Sequence, residues 1–315
     1  MAGRLEIRPY SVSDRAMWDE CVKHSKNGTF LFLRDYMDYH SDRFSDRSLV
    51  ACDRSGRIIA LLPANRANDV LYSHQGLTYG GWVIPANGFD IRTMIDIWDQ
   101  SLNIMRTDGV KQFIYKPVPH IYHSSPAEED LYALFYYGAT LISRQISSSI
   151  DLSNDTGYDK SAKRKLRNKG DILSIGVSNR LGEFWHILDN ILLEKYKTTP
   201  VHNIDEITLL KKRFPDNILL VTAEEDNTII AGVILYKSAT VMHLQYAAST
   251  FRGRQLNVFP ILYRYVIDNL CQGCRYFDFG TSNNQNGRVL NTGLIQHKSS
   301  LGGRAIVYDT YIQHL

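Results

Sequence analysis

The sequence predicts a mixed α/β protein of two domains, and three observations lead there. The chain has 315 residues, about two domains at ~100–200 residues each. Its apolar residues repeat with a period of two in some segments and near 3.6 in others, so strands and helices are interspersed. A polar, turn-rich stretch at 151–160, DLSNDTGYDK, breaks the chain into two such series.

In the first series Leu5–Arg8 reads as a strand and Asp14–His24 as a helix capped by Ser13. Ser48–Cys52 and Ile58–Ala64 are apolar runs around Asp53-Arg54-Ser55-Gly56, a hairpin. Val70–Ser73 is a third run. It leads into His74-Gln75-Gly76-Leu77-Thr78-Tyr79-Gly80-Gly81. Asp90–Arg106 carries apolar residues at helical spacing, including Ile91, Met94, Ile95, Trp98, Leu102 and Met105. A strand Phe113–Tyr115, a helix Ala127–Tyr136 with acids in its first turn, and a strand Leu141–Ile150 follow.

The second series begins with a strand Ile172–Ser178 and helices Gly182–Lys195 and Asp205–Phe214. Three strands come next, Ile218–Ala223, Ile229–Tyr236 and Val241–Ala247, joined by segments short enough for hairpins. A helix Asn257–Leu270, a strand Tyr276–Phe279, a helix Arg288–Ser300 and a strand Ala305–Tyr308 complete it. The order is an antiparallel meander followed by a β-α-β crossover, and the first series repeats it in rougher form. Two copies of one fold are therefore expected, with a boundary near 157.

Composition bounds the function. Hydrophobic residues make up 44% and charged residues 22%, ordinary globular values. The net charge of +3 makes any basic site local. Cys21, Cys52, Cys271 and Cys274 are sparse and irregularly placed, which suits reduced thiols in a cytoplasmic protein. The N-terminus lacks an apolar signal region, and no run nears the ~20 residues of a membrane span. His120 and His123 have no third ligand nearby, so no metal is expected. No G-x-S-x-G elbow is present.

Three stretches carry a family resemblance: Tyr276-Phe277-Asp278-Phe279-Gly280, the segment GLIQHKSSLGG at 293–303 containing Lys298, and the basic segment 160–169. With the order of elements, they resemble tandem GNAT-like acyltransferases, and among them Fem-type aminoacyltransferases of peptidoglycan bridges. The resemblance implies two GNAT-like domains, 1–157 and 158–315, each a mixed, mostly antiparallel sheet flanked by helices. It implies transfer of an acyl group from acyl-CoA to an amine of a cell-wall or surface-polysaccharide precursor. The alternatives are an aminoacyl-tRNA-dependent ligase and a silent GNAT-like binding protein.

Candidate residues follow from where they fall. In strand Val241–Ala247, Met242, Leu244 and Tyr246 point one way, and Val241, His243, Gln245 and Ala247 the other. His243 and Gln245 would line a cleft; a partly exposed sheet face with ordinary polar residues is the alternative. Asp278 ends a strand and is the candidate base for an attacking amine, or a structural acid holding the following loop. Lys298 pairs with an anionic group of the acceptor, or is a surface helix lysine. Arg252, Gly253 and Arg254 stand where acyl-CoA-binding GNAT loops cradle a diphosphate on backbone N–H groups, with one glycine where two small residues are usual. Residues 160–169 hold six cations and no acid, so Lys163, Arg164 and Arg167 are candidates for phosphates of tRNA, coenzyme A or a nucleotide-sugar, or form a solvated helix. In the first series His74, Tyr79, Lys116 and His120 are candidate substrate contacts, because glycines and prolines there shape rim loops. Cys271-Gln272-Gly273-Cys274 reads as incidental.

Overall fold

A computed structural model describes residues 5–154, 157–160 and 173–315. The strands, in chain order, begin with β1 Glu6–Pro9, β2 Ser45–Asp46, β3 Leu49–Cys52, β4 Ile58–Leu62, β5 Asn65–Ala67, β6 Val70–Tyr72, β7 Gln112–Tyr115 and β8 Thr140–Asp151. They continue with β9 Ser174–Val177, β10 Ile218–Glu225, β11 Thr228–Lys237, β12 Val241–Ser249, β13 Tyr276–Thr281, β14 Asn283–Asn284, β15 Val289–Leu290 and β16 Arg304–His314. The described α-helices are α1 Arg15–Lys23, α2 Arg34–Met37, α3 Ile91–Thr107, α4 Glu129–Tyr136, α5 Leu181–Tyr196, α6 Ile204–Arg213, α7 Phe251–Gln255, α8 Val258–Leu270 and α9 Thr292–Ser300.

The chain forms two compact units. One holds residues 1–145, 284–289 and 307–315; the other holds 146–283 and 290–306. Both repeat one motif, in which an antiparallel pair leads into a parallel pair across a helical crossover. In the first unit β5 pairs antiparallel with β6, and β6 pairs parallel with β7 after α3. In the second, β11 pairs antiparallel with β12, and β12 pairs parallel with β13 after α7 and α8. Each unit is completed by a strand from the other half of the sequence. The end of β16 pairs with β7, Tyr311 opposite Tyr115. The end of β8 pairs with β13, Ile150 opposite Phe277.

Core formation follows the predicted periodicities. On α3, Met94, Ile97, Trp98, Leu102 and Met105 are buried against Phe113 and Tyr115 of β7. Burying each such side chain contributes about 1.5–3 kcal/mol. In the second unit Val221, Val233, Leu235 and Met242 from the sheet meet Val258, Leu262, Tyr263 and Val266 of α8.

Several boundaries differ from the sequence reading. The first helix starts at Arg15, after a 3-10 turn in which the Ser11 N–H donates to the Asp14 carboxylate; Ser13 lies against the Ser11 hydroxyl instead of capping. Pro63, which has no N–H for a ladder, separates β4 from β5. The expected helix Arg288–Ser300 starts only at Thr292, because Asn291 accepts the Leu294 N–H as a cap. Asn257, with φ +53°, breaks the Phe251–Leu270 stretch into α7 and α8.

Candidate acyl-transfer site in the second unit

β12 and β13 run as a parallel pair for only three residues: Val241 with Tyr276, Met242 with Phe277, His243 with Asp278. There the pairing stops. On its other side β12 bulges, since Tyr246 faces Ile234 while Leu244 faces Leu235, leaving Gln245 as the extra residue. This overturns the expected alternation: past the bulge Ala247, like Met242 and Leu244, packs on the α8 face. Tyr246 instead meets Trp185 of α5 edge to face, with ring centroids 5.5 Å apart. β13 meanwhile turns through Gly280, φ +74°. A cavity of about 260 Å³ opens beside the parted strands, lined by Leu244, Gln245, Ala247, Tyr263, Phe279, Thr281, Leu294, His297 and Lys298.

At the closed end of the parting stands a chain of three polar side chains. The Ser147 hydroxyl donates to Asp278 Oδ1 at 2.7 Å. His243 Nδ1 lies 2.8 Å from Asp278 Oδ2. Asp278 is fully buried, at 0% exposure, whereas the His243 side chain is 14% exposed. Where the carboxylate is ionised it only accepts, and Nδ1 is then the donor of this bond. The two catalytic candidates thus form one hydrogen-bonded pair, with His243 the more exposed member and Asp278 buried behind it. Ser147 carried no signal in the sequence: it is one of three successive serines in a strand of the first series.

Lys298 is not a surface lysine. It is 5% exposed, and its ammonium donates to the carbonyls of Gly280 at 2.8 Å and Thr281 at 3.0 Å. Burial pushes its pKa down to about 8, against a smaller upward pull from Asp278.

The three residues expected to hold a diphosphate are engaged within the protein. The Arg252 guanidinium is paired with Glu225. The Gly253 N–H donates to the Thr250 hydroxyl at 3.3 Å. A methyl group on Gly253 would stand 2.4 Å from the Ile230 carbonyl, so packing explains this glycine. Arg254 donates to the Ser249 carbonyl at 2.9 Å. Lys163, Arg164 and Arg167 lie outside the described residues.

In the first unit, the loop after β6 gathers three of its four candidates. His74, at φ +73°, is buried with its ring stacked on His40 at 5.1 Å; burial, aided by His40, pushes its pKa down to about 3. Lys116 donates to the Leu77 carbonyl at 2.8 Å, and burial lowers its pKa to about 8. Tyr79 is buried, its hydroxyl 3.4 Å from that of Thr29. His120 is exposed on a 3-10 turn, and His123 Nε2 bonds the Val118 carbonyl. Cys271 and Cys274 lie at the end of α8, where burial raises both thiols.

The second unit has a GNAT-type fold. Residues 194–287 match the family model described as an acetyltransferase (GNAT) domain. Across nearly its whole length the chain shares its fold with FemX, at 12% identity, 96% of each chain covered and a TM-score of 0.71. It is also similar to the C-terminal domain of a putative lysylphosphatidylglycerol synthetase from Agrobacterium fabrum, at 12% identity, with 96% and 92% covered and a TM-score of 0.60. A tandem GNAT protein from the clavulanic acid biosynthesis pathway matches at 11% identity, with 99% and 98% covered and a TM-score of 0.56. No curated protein matches the chain in sequence. Among the described residues no helix is long and apolar enough to cross a membrane.

Proposed function

We propose that this protein is an N-acyltransferase whose second domain, 158–315, passes an acyl group directly from a carrier to an amine, with 1–157 as a second GNAT-like domain. The observation that carries this reading is the parting of β12 from β13 beside His243 and Asp278. The acyl carbonyl enters the gap and is polarised by β12 backbone N–H groups that β13 no longer pairs. The acceptor amine attacks the carbonyl carbon. His243 Nε2 takes the proton that the nitrogen must lose, and Asp278 stabilises the resulting imidazolium. The carrier leaves as thiolate or alkoxide.

Acyl-CoA is the carrier in the first reading, and an amine on a cell-wall or surface-polysaccharide precursor is the acceptor. A specific observation favours a second carrier, aminoacyl-tRNA: Arg252, Gly253 and Arg254 are taken up by Glu225, Thr250 and Ser249. The six cations of 160–169 suit a nucleic-acid backbone. Both likenesses, to FemX and to the synthetase domain, are compatible with either carrier.

Calorimetric titration with acetyl-CoA, and in parallel with bulk tRNA, tests the proposal. Saturable binding of acetyl-CoA supports the first carrier, and binding of tRNA alone supports the second. Binding of neither would leave a silent GNAT-like protein and overturn the transferase reading.

A further inference from the structure

We propose that Lys298 is itself an acylation site, a lysine modified by the donor bound in its own cavity. The inference rests on the reading of that cavity as the donor site, and it starts from the geometry of one nitrogen. Lys298 Nζ has four tetrahedral positions. One is bonded to Cε, and two point at the carbonyls of Gly280 and Thr281. The fourth is left over, and Lys298 lines the cavity. When the amine is protonated, the two carbonyls hold two of its hydrogens. When it is neutral, the same carbonyls hold both remaining hydrogens and the lone pair takes the fourth position.

Sheet geometry explains why a lysine is fixed there. β13 has left β12 after Asp278, so the Gly280 and Thr281 carbonyls lie past the parallel ladder. Carbonyls past the end of a ladder need other donors, and Lys298 reaches them from α9. The titratable groups around it are Asp278 on β13, which favours the charged form, and His297 of its own helix and Tyr263 of α8, which share the cavity lining. Burial outweighs Asp278 and leaves the amine with a pKa of about 8, so a sizeable neutral fraction exists near neutral pH.

The reaction is balanced without any added oxidant or reductant. The Nζ lone pair attacks the acyl carbon of a thioester or activated ester, the C–N bond forms, and the C–S or C–O bond breaks. The leaving thiolate or alkoxide takes up the proton that nitrogen loses. The product amide keeps one N–H, enough for only one of the two carbonyls. It also loses the positive charge and fills the cavity with the acyl group. Modified protein therefore no longer admits donor, and an acceptor amine, by consuming donor first, protects the lysine.

The test is peptide mapping by mass spectrometry on the native full chain, so no variant has to fold. One arm uses p-nitrophenyl acetate, a small ester that needs no carrier site; the other uses acetyl-CoA. With the ester, Lys298 is expected to react ahead of exposed lysines. From pH 7 to 9 its modification should rise about tenfold and then level off, as a pKa of about 8 requires. A lysine at the ordinary ~10.4 rises about a hundredfold over the same interval and keeps rising. Modification by the ester but not by acetyl-CoA upholds the site while removing coenzyme A as its donor. Lys298 left unmodified by both reagents, in protein that binds acetyl-CoA by calorimetry, overturns the inference and leaves the transferase reading intact. Modification that follows the hundredfold profile also overturns it.

Discussion

Asp278 offers the sharpest single perturbation, because two substitutions separate its structural part from its chemical one. Its carboxylate is fully buried and accepts from both Ser147 and His243. Asp278→Ala leaves a hydroxyl and an imidazole N–H without an acceptor inside the protein. Removing one partner of a buried pair costs about 3–5 kcal/mol. At about 2–4 °C per kcal/mol for a unit of this size, the melting temperature should fall by about 6–20 °C. Asp278→Asn keeps the volume and one accepting oxygen. Its amide group can face the Ser147 oxygen, or His243 Nδ1 once the ring carries its proton on Nε2. Its stability loss should be smaller, about 1–3 kcal/mol. The second arrangement occupies Nε2 with the proton, so His243 can no longer accept one. Acyl transfer from whichever carrier binds should then fall by about 10²–10⁴-fold, or about 2.7–5.4 kcal/mol of barrier. Differential scanning fluorimetry and steady-state rates on both variants give the answer. An Asn variant with the wild-type kcat/KM would refute the orienting part, and an Ala variant with an unchanged melting temperature would refute the buried-pair argument. Ser147→Ala is the intermediate case, losing one bond to a charged acceptor and about 1.5–3 kcal/mol.

Three further outcomes are expected. Burial raises the Asp130 pKa from 3.8 to about 7, partly opposed by its bonds from Tyr115 and Leu131. The folded protein holds this proton more tightly than the unfolded chain between those two values, so stability falls as pH rises through the window, by about 4 kcal/mol; Asp130→Asn should flatten that part of a urea-melt series against pH. Gly80→Ala places a methyl 1.8 Å from the Ser73 backbone carbonyl and should cost about 3 kcal/mol or more in chemical denaturation, through overpacking. If tRNA is the carrier, replacing Lys163, Arg164 and Arg167 with Ala should flatten the slope of log affinity against log salt by about two, measured by filter binding; an unchanged slope removes the basic segment from the contact.

Much of the fold was legible in the sequence because periodicity reports which face of an element is buried. The helical spacing of Met94, Trp98, Leu102 and Met105 gave α3, and the runs at 218–249 gave the meander. What periodicity does not report is the neighbour. Nothing in Leu141–Ile150 or Ala305–Tyr308 tells that each strand completes the other half's sheet, because an alternating strand presents the same faces to any partner. The bulge at Gln245 was equally invisible: it adds one residue without a proline or glycine to mark it, and it sent Tyr246 and Ala247 to faces opposite those expected. At the site, His243 and Asp278 stood out as polar residues on otherwise apolar strands, and the fold makes them a pair. Lys298 stood out too, but its target, two carbonyls of β13, depends on strands parting. Ser147 gave no sign, since a serine in a strand reads as neutral.

The exchange of final strands also sets a schedule for synthesis. As the chain leaves the ribosome, the first unit has β5, β6 and β7 early, yet the strand that pairs with β7 includes Tyr311 and Ile312, which are made only after β8 to β15. Until then β7 keeps an open edge, with unpaired backbone groups able to template another nascent chain. Closure of the first sheet must therefore wait for the whole second series, and a ribosome stalled before residue 307 would present an unfinished sheet to the chaperones around it.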